Sequence, residues 1–507
     1  MQKIKLGLLI IFSFSLSFSE LSERDILMRA LSHNTNIKLS FSKYSSDSLS
    51  LYSAKTEWLP KLQFSLQPEL TLLDTTMSLE TRNQIDSLES YKNSSPDFLK
   101  DSINFLIDNL RDYLDHDPSG MIKNKFQISQ PVYGGGVLSA TFSNSSNKFF
   151  DKQLSDYANA FELSFSQPLL NSAGKYSNPQ YTVAIQSIEN KQVSLEVKKS
   201  ILSSLSDIRS LYWDYYAQYL YNSTYKREVD RASELMKISR SRFSLGEVSA
   251  LDTLSASYDL TTAQQKLLDS EISTRKARNK LALELSITPD SISFSDTISI
   301  TLSDPPEPDT LIALAKEYDH TVKIFEKISE KLLLEKKKLS NDLLPSLSTY
   351  GSLVFNRSGD SFFSDDNFSK NGVIGLIFSY SLPLAKSKIS RKKTEMDIDN
   401  NSIQQKQYLQ ELQVRLTELK ESWDQEMERI SLASKSNQLA NLQYEAAKKE
   451  YSLGTIEKIT LLDAQDKLVD SEIALSKMRV DMKKIEIIFD EITGTTFKKF
   501  NISLDLY

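Results

Sequence analysis

Residue types that commonly perform chemistry in proteins are scarce and scattered along this chain. The 507-residue sequence contains no cysteine and three histidines, His33, His116 and His320. A metal site or an acid–base centre needs several such side chains at ligand spacing, and none of the three histidines has a second histidine or a carboxylate cluster at that spacing. Glycines 134–136 lack the strand-to-helix context of a phosphate-binding loop. We therefore predict no catalytic residue, no metal site and no cofactor.

The composition indicates long, uninterrupted elements. Glycine and proline number 13 each, well below their ordinary usage of about 7% and 5%, so the chain has few turns. The absence of cysteine excludes disulfides, thiol nucleophiles and a lipid anchor on an N-terminal cysteine. A net charge of −6 offers no basic surface for nucleic acid.

The N-terminus has the pattern of a secretory signal. Lys3 and Lys5 precede an apolar run at residues 6–18, and the small residues Ser17 and Ser19 suit cleavage before Glu20. We assign residues 1–19 to a signal peptide, because this run is too short to cross a bilayer as a helix. No later stretch reaches 18 consecutive apolar residues, so a mature protein that enters a membrane must use strands.

The chain contains two copies of one unit. The segment FSLGEV at residues 243–248 matches YSLGTI 208 positions later, at residues 451–456. A second match, at an offset of 285, carries the Leu-Pro pair at residues 59–60 onto residues 344–345. We predict a first repeat at residues 20–303, a linker at 304–309, a second repeat at 310–495 and a tail at 496–507. Pro60 and Pro168 are 108 residues apart, whereas the matching Pro345 and Pro383 are 38 apart, so the first repeat contains about 70 additional residues, within a segment at about 74–158 that we assign to an insertion.

Each copy is predicted to fold as helix, strand, strand, long helix, turn and helix. The short first helices lie at about 21–57 and 310–342, and alternating apolar and polar residues predict strands near 61–72, 161–166, 346–356 and 374–382. The long helices, at about 178–245 and 387–453, show a heptad pattern, as in the seam Ile201, Leu205, Ile208, Tyr212, Tyr215 and Tyr219. Within the insertion we predict a helix near 99–114 and an extra hairpin that turns at glycines 134–136.

Four amphipathic strands of this length can cross a bilayer at a tilt. Four strands cannot close a barrel, and an open edge in lipid would leave backbone groups unpaired. Several chains must then share one barrel, and three chains would supply twelve strands and about twelve helices in cross-section. The alternative is that the strands form a soluble sandwich, in a periplasmic coiled-coil scaffold protein without channel activity.

Several motifs recur in a specific order and spacing. They are the signal peptide, the duplicated unit, the Leu-Pro strand entries, the sequence QPLL at residues 167–170 and the two Leu-Gly helical tips. Together they resemble the TolC family of outer-membrane efflux and export channels. The resemblance implies a mainly α-helical homotrimer, whose long helical hairpins form a periplasmic α-barrel continuous with a shared 12-stranded β-barrel in the outer membrane of a Gram-negative-type bacterium.

The resemblance also implies a function and partners. Channels of this family are passive ducts of tripartite efflux or type I secretion systems and have no catalytic activity. The implied partners are a periplasmic adaptor (membrane fusion) protein, an inner-membrane RND or ABC transporter and outer-membrane lipid, without nucleic acid. The cargo does not follow from the sequence, because drugs, metals, polysaccharide and secreted proteins all use this architecture.

The same resemblance assigns gating roles near the tips. Asp252 matches an aspartate that accepts a hydrogen bond from the tyrosine at Tyr451 and so holds the periplasmic entrance closed. Asp463 matches one of two aspartates that form an acidic ring at the constriction, and the other ring position is Thr460 here. From the residues alone, Asp252 and Asp463 could instead be helix N-caps beside a turn.

Two further expectations concern the tips. The second closing link of the family, from an arginine to a threonine, falls on Ile456 and Leu251, so we expect an apolar contact in its place. The adaptor-docking surface is expected at the two turns, which carry Leu245, Gly246, Leu453 and Gly454.

Overall fold

The computed structural model describes residues 22–71, 79–114, 119–149, 155–292, 294, 304–362, 367–380, 382 and 384–504. The predicted signal peptide and His116 lie outside these residues. The described chain divides into two compact units. One unit, within residues 1–49, 188–332 and 397–507, is helical; the other, within residues 50–187 and 333–396, contains the β-sheet.

Most of the described chain is α-helical. The helices are α1 (Glu23–His33), α2 (Thr35–Thr56), α3 (Leu79–Ser94), α4 (Asp97–Leu114), α5 (Asn178–Ser244), α6 (Ala250–Leu285), α7 (Pro308–Tyr318), α8 (His320–Asn341), α9 (Ala385–Ser452), α10 (Lys458–Ile492) and α11 (Thr496–Lys499). The long helices α5 and α9, of 67 and 68 residues, agree closely with their predicted bounds. Within the described residues, no helix is both long enough and apolar enough to cross a membrane.

The heptad seam predicted along α5 forms the centre of the helical unit. Ile201, Leu205 and Ile208 are fully buried, and Tyr212 is 2% exposed. They pack in one cluster with residues of α1, α6 and α10, such as Leu27. The seam is therefore confirmed as a packing surface, because one apolar side chain every three or four residues keeps one face of the helix turned to its neighbours.

The two short first helices are each interrupted, although the sequence predicted them as continuous. The interruption falls at Asn34 in one copy and at Asp319 in the other, 285 residues apart. The side chain of Asn34 accepts a hydrogen bond from the backbone N–H of Ile37 at 3.0 Å, and that of Asp319 accepts one from Val322 at 3.1 Å. When a short polar side chain accepts hydrogen bonds from the first backbone N–H groups of the following helix, the preceding helix ends at that residue instead of continuing through it.

The described strands form a single antiparallel sheet in chain order. They are β1 (Lys61–Thr71), β2 (Ser119–Val132), β3 (Gly136–Phe149), β4 (Ser155–Pro168), β5 (Ser346–Gly359) and β6 (Asn367–Ser379). The four strands predicted from the two repeats correspond to β1, β4, β5 and β6, and the same sheet contains two more. The hairpin β2–β3, predicted within the insertion, pairs with β1 on one side and with β4 on the other.

The turn of this hairpin lies at the predicted glycines. Gly134 and Gly135 have φ angles of +86° and +89°, a conformation that residues with a Cβ rarely adopt. A Cβ on Gly135 would lie 2.5 Å from the Cβ of Ser177. Both the backbone conformation and the close packing therefore require glycine at this position.

Candidate functional site

The two predicted tips join α5 to α6 and α9 to α10. Gly246 and Gly454 have φ angles of +77° and +75°. Beyond each glycine, a backbone N–H reaches five residues back to the last turn of the helix: Glu247 donates to the carbonyl oxygen of Arg242 at 3.0 Å, and Thr455 donates to that of Glu450 at 3.1 Å. Both helices thus end in the same glycine-dependent cap.

Each tip presents a leucine to solvent. Leu245 is 70% exposed and Leu453 is 69% exposed. Phe243, just before the first turn, is 48% exposed. The residues expected to dock an adaptor therefore lie at the surface of the two turns, and their docking role stays a prediction.

Asp252 is part of a helix cap. Its carboxylate accepts hydrogen bonds from the backbone N–H of Ser249 at 2.9 Å and from the Ser249 hydroxyl at 2.7 Å, while its own N–H donates to that hydroxyl. This reciprocal capping box begins α6. The hydrogen bonds from Ser249 hold the pKa of Asp252 below its usual range. The N-cap of α6 is therefore Ser249, and Asp252, predicted as a possible N-cap, is the third residue of the helix and completes the capping box.

Tyr451 contacts Arg242 rather than Asp252. Among the described residues no hydrogen bond joins Tyr451 to Asp252, so the expected link is absent within the chain. The guanidinium of Arg242 lies 5.4 Å from the centre of the Tyr451 ring, and its Nη1 donates to the Tyr451 carbonyl oxygen at 3.4 Å. Arg242 Nε also donates to the Glu247 carboxylate at 3.2 Å. Arg242 therefore connects the first helical hairpin to the second.

Lys458 makes a second connection between the hairpins. It lies at the start of α10, and its ammonium is 2.5 Å from the Asp259 carboxylate of α6. It also donates to the Ser255 hydroxyl at 2.8 Å. The Lys458 side chain is 12% exposed and that of Asp259 is 23% exposed, so this ion pair is largely shielded from water.

The predicted apolar contact between Leu251 and Ile456 is not a prominent feature of the chain. Leu251 is 74% exposed, which leaves little of its surface for Ile456. Ile456 packs instead on the cluster around Tyr451 and Leu461. Thr460 lies in the first turn of α10, where its backbone N–H donates to the carbonyl oxygen of Glu457 at 3.1 Å.

Carboxylates gather near the predicted acidic ring. Asp463 is exposed and pairs with Lys467 on the same helix at 2.5 Å. Asp463 is not an N-cap, because the cap of α10 is Glu457. Burial raises the pKa of nearby Asp466, and the negative charge of neighbouring carboxylates, including Asp463, adds to this shift although Lys266 opposes it.

Arg242 and Lys458 were not predicted as site residues. The duplicated sequence contained a signal for them: at the offset of 208, Arg242 corresponds to Glu450 and Lys458 to Ala250. Where the two repeats match but carry different charges at one position, that residue is a candidate for a contact between the repeats. Such a contact needs complementary residues, not identical ones.

Comparison with known proteins identifies the fold. No protein-family model matches the chain, and no curated protein matches its sequence. The outer-membrane channel OprN aligns with it at a TM-score of 0.65 and 12% identity, over 94% of this chain and 91% of that one. The outer membrane protein VceC from Vibrio cholerae aligns at 0.64 and 12% identity, over 93% and 96%. The CmeC outer membrane channel of Campylobacter jejuni aligns at 0.64 and 15% identity, over 96% and 88%.

The chain therefore has the fold of outer-membrane channel proteins over nearly its whole length. This finding confirms the resemblance to the TolC-like channels and the mainly helical architecture with a small sheet. Each of these three proteins is described as an outer-membrane protein or channel, and the outer membrane is the location that the sequence predicted.

Proposed function

We propose that the protein is the outer-membrane channel of a tripartite efflux or type I secretion system. In this proposal three copies assemble, their long helical hairpins form a periplasmic tube, and their sheets close into one barrel in the outer membrane. Substrates enter from a periplasmic adaptor and an inner-membrane RND or ABC transporter, which supplies the energy. The four strands per chain predicted from the two repeats would give twelve strands in the barrel.

The observation that carries the proposal is the exposed apolar face of the sheet. Leu62 and Phe64 of β1 are each 69% exposed, and Ile374 of β6 is 91% exposed. A soluble sheet covers such a face with a second layer of structure. A large exposed apolar surface marks a contact with another protein or with a membrane, and the outer-membrane fold favours lipid.

The tips are the proposed entrance. Arg242 and Lys458 join the two hairpins of each chain, so they hold the hairpins together in the closed state. Tyr451 belongs to this closure through Arg242, whereas Asp252 supports it by capping α6. The proposed acidic ring is formed by Asp463, with the carboxylate of Asp466 close to it.

The docking surface for the adaptor is proposed at the two turns. Leu245 and Leu453 are exposed to almost the same extent, and three chains would offer six such apolar positions. Gly246 and Gly454 keep both turns tight, so that each leucine stands at the end of its hairpin. Replacement of both leucines by serine should abolish cross-linking to the adaptor and leave trimer formation unchanged.

Membrane fractionation tests the proposed function. The protein should be recovered in outer membranes as a trimer that resists dissociation until it is heated. Recovery as a soluble periplasmic species would refute the channel and favour the coiled-coil scaffold. Purification together with its cross-linked adaptor would then identify the transporter and so the class of cargo.

A further inference from the structure

The inserted hairpin is an integral part of the sheet. Every residue of β1 from Lys61 to Thr71 has a partner in β2, and β3 pairs with β4 from Val137 to Lys148. The hairpin therefore separates β1 from β4 by two full-length strands. Because two strands were added, the antiparallel alternation of the sheet is preserved.

The hairpin continues the apolar face of the sheet. Directly paired residues in an antiparallel sheet share a face, and one row of partners consists of a phenylalanine from each of five strands: Phe64, Phe126, Phe142, Phe161 and Phe355. The next row toward the glycine turn contains Leu62, Ile128, Ala140, Leu163 and Leu353. The inserted strands thus present the same kind of surface as the strands on either side.

Polar groups on this face are paired with one another. Two residues beyond the phenylalanine row, Asn144 of β3 is 7% exposed. Its amide donates to the Asn159 carbonyl oxygen of β4 at 2.8 Å, and its own carbonyl oxygen accepts from Asn124 of β2 at 3.4 Å. This ladder satisfies side-chain amides that would otherwise be costly in lipid.

The opposite face of the hairpin is polar. It carries Ser139, Thr141 and Ser143 on β3, and Lys123 of β2 forms an ion pair with Glu69 of β1 at 2.8 Å. A sheet with one apolar and one charged face suits a wall between lipid and water.

The apolar band crosses the strands obliquely. On this face β1 carries Leu62, Phe64, Leu66 and Leu70, centred on Leu66, and β6 carries Ile374, Leu376 and Phe378, centred on Leu376. The row of partners from Leu66 reaches β6 at Phe368, so the band shifts by eight residues across the six strands. Eight residues correspond to about 27 Å along a strand. Strands inclined to the apolar band are typical of membrane barrels, in which they tilt by about 35–45°.

The edges of the sheet suit a further copy of the chain. In the described residues, β1 and β6 each have one edge without a strand partner, and they run in opposite directions because the number of strands is even. Edge β6 of one copy can therefore pair antiparallel with edge β1 of the next around a rotation axis. An open edge in lipid would be unstable, so the occupant of each edge is a second copy.

We infer that the inserted hairpin spans the membrane and that three copies form an 18-stranded barrel. This inference rests on the proposed function and extends it. At about 4.8 Å between strands and a tilt of about 40°, eighteen strands give a circumference of about 110 Å, against about 75 Å for twelve. The insertion thus widens the outer-membrane part of the duct by half, which suits bulky cargo.

Cysteine pairs test the position of the hairpin, because the chain has no cysteine of its own. Phe64→Cys with Phe126→Cys, and Phe142→Cys with Phe161→Cys, should form disulfides in oxidised outer membranes. The control is Phe64→Cys with Phe161→Cys, whose strands become neighbours if the hairpin leaves the wall. We expect the disulfide yield of each of the first two pairs to exceed that of the control pair by at least about tenfold, because a disulfide requires adjacent Cβ atoms. A higher yield in the control would overturn the inference.

Two neighbouring positions test which face meets water. A membrane-impermeant maleimide should label Ser143→Cys and leave Phe142→Cys unlabelled in intact outer membranes, because successive residues of a strand point to opposite faces. Labelling of Phe142→Cys to the same extent would place the hairpin outside the membrane and overturn the inference. Recovery of the parent chain as a soluble species would refute the proposed function itself, whereas a membrane trimer that fails these two tests refutes the role of the hairpin alone.

Discussion

Loss of the two links that Arg242 and Lys458 make between the helical hairpins should open the proposed channel. The variant combines Arg242→Met and Lys458→Met. The Lys458–Asp259 ion pair is mostly shielded from water and contributes about 1 kcal/mol. The contact of Arg242 with the Tyr451 ring contributes about another 1 kcal/mol. Each chain thus loses about 2 kcal/mol of the free energy that favours the closed tip, and three chains lose about 6 kcal/mol.

This magnitude is sufficient to invert the gating equilibrium. A change from 1% to 99% open requires about 5.5 kcal/mol, so a trimer that is closed at rest should become largely open. The assay is single-channel conductance of the purified trimer in planar bilayers. Cells that express the variant should also become sensitive to large antibiotics that the closed channel excludes.

A matched control separates the links from a general loss of charge. Lys449→Met removes one positive charge from the same tip at an exposed position of α9, and its conductance should equal that of the parent. The reasoning is refuted if the double variant remains an intact trimer with unchanged conductance. It is also refuted if Lys449→Met opens the channel equally.

Three further predictions concern stability and selectivity. Arg209 is 2% exposed and forms ion pairs with Glu23 at 2.5 Å and with Asp490 at 2.9 Å. The variant Arg209→Met should therefore lower the free energy of unfolding by about 3–5 kcal/mol, because it removes one partner of a buried ion pair. A melting temperature within 2 °C of the parent, which corresponds to on the order of 1 kcal/mol or less, would contradict this prediction. Burial, with the charge of a nearby lysine, lowers the pKa of His320 to about 4. The ordinary pKa of histidine is higher, at 6.5, so the folded state favours neutral His320. This contribution to the free energy of unfolding is fully present above pH 6.5 and is lost as the pH falls toward 4, by at most about 3 kcal/mol. Thermal melts of His320→Asn should lack this part of the acid loss, and an unchanged pH profile would count against it. Asp463→Ala should reduce cation selectivity and the block by millimolar divalent cations in planar bilayers; equal block in both proteins would remove Asp463 from the ring.

The long helices and their tips could be predicted because their signals are local. The heptad pattern along α5 and the near absence of glycine and proline set the helices, and Gly246 and Gly454 ended them at the observed places. The predicted capping role of Asp252 was correct in kind but not in position, because Ser249, three residues earlier, is the N-cap.

The six-stranded sheet could not be derived in the same way. In β2, the run Lys123, Asn124 and Lys125 obscures the alternation of apolar and polar residues that marks a strand. Asn124 fits the apolar face because Asn144, twenty residues away, pairs with its amide. Pairing of this kind is non-local, so it is absent from any pattern within one strand.

The links at the tips depended on contacts that are distant in sequence. Arg242 meets Tyr451 across 209 residues, and Lys458 meets Asp259 from the other hairpin. The family resemblance pointed to Asp252 and Tyr451, and Tyr451 is the residue that Arg242 contacts. In both links a charged residue of one repeat stands where the other repeat has a different residue, Glu450 for Arg242 and Ala250 for Lys458.

A density map of the protein purified from outer membranes is the most direct test of the central claim that this chain forms an outer-membrane channel. The account predicts three copies around one axis, with a lumen that runs through both the helical tube and the barrel. It further predicts eighteen strands in the barrel wall. A single chain, or an assembly without a continuous lumen, would contradict the channel.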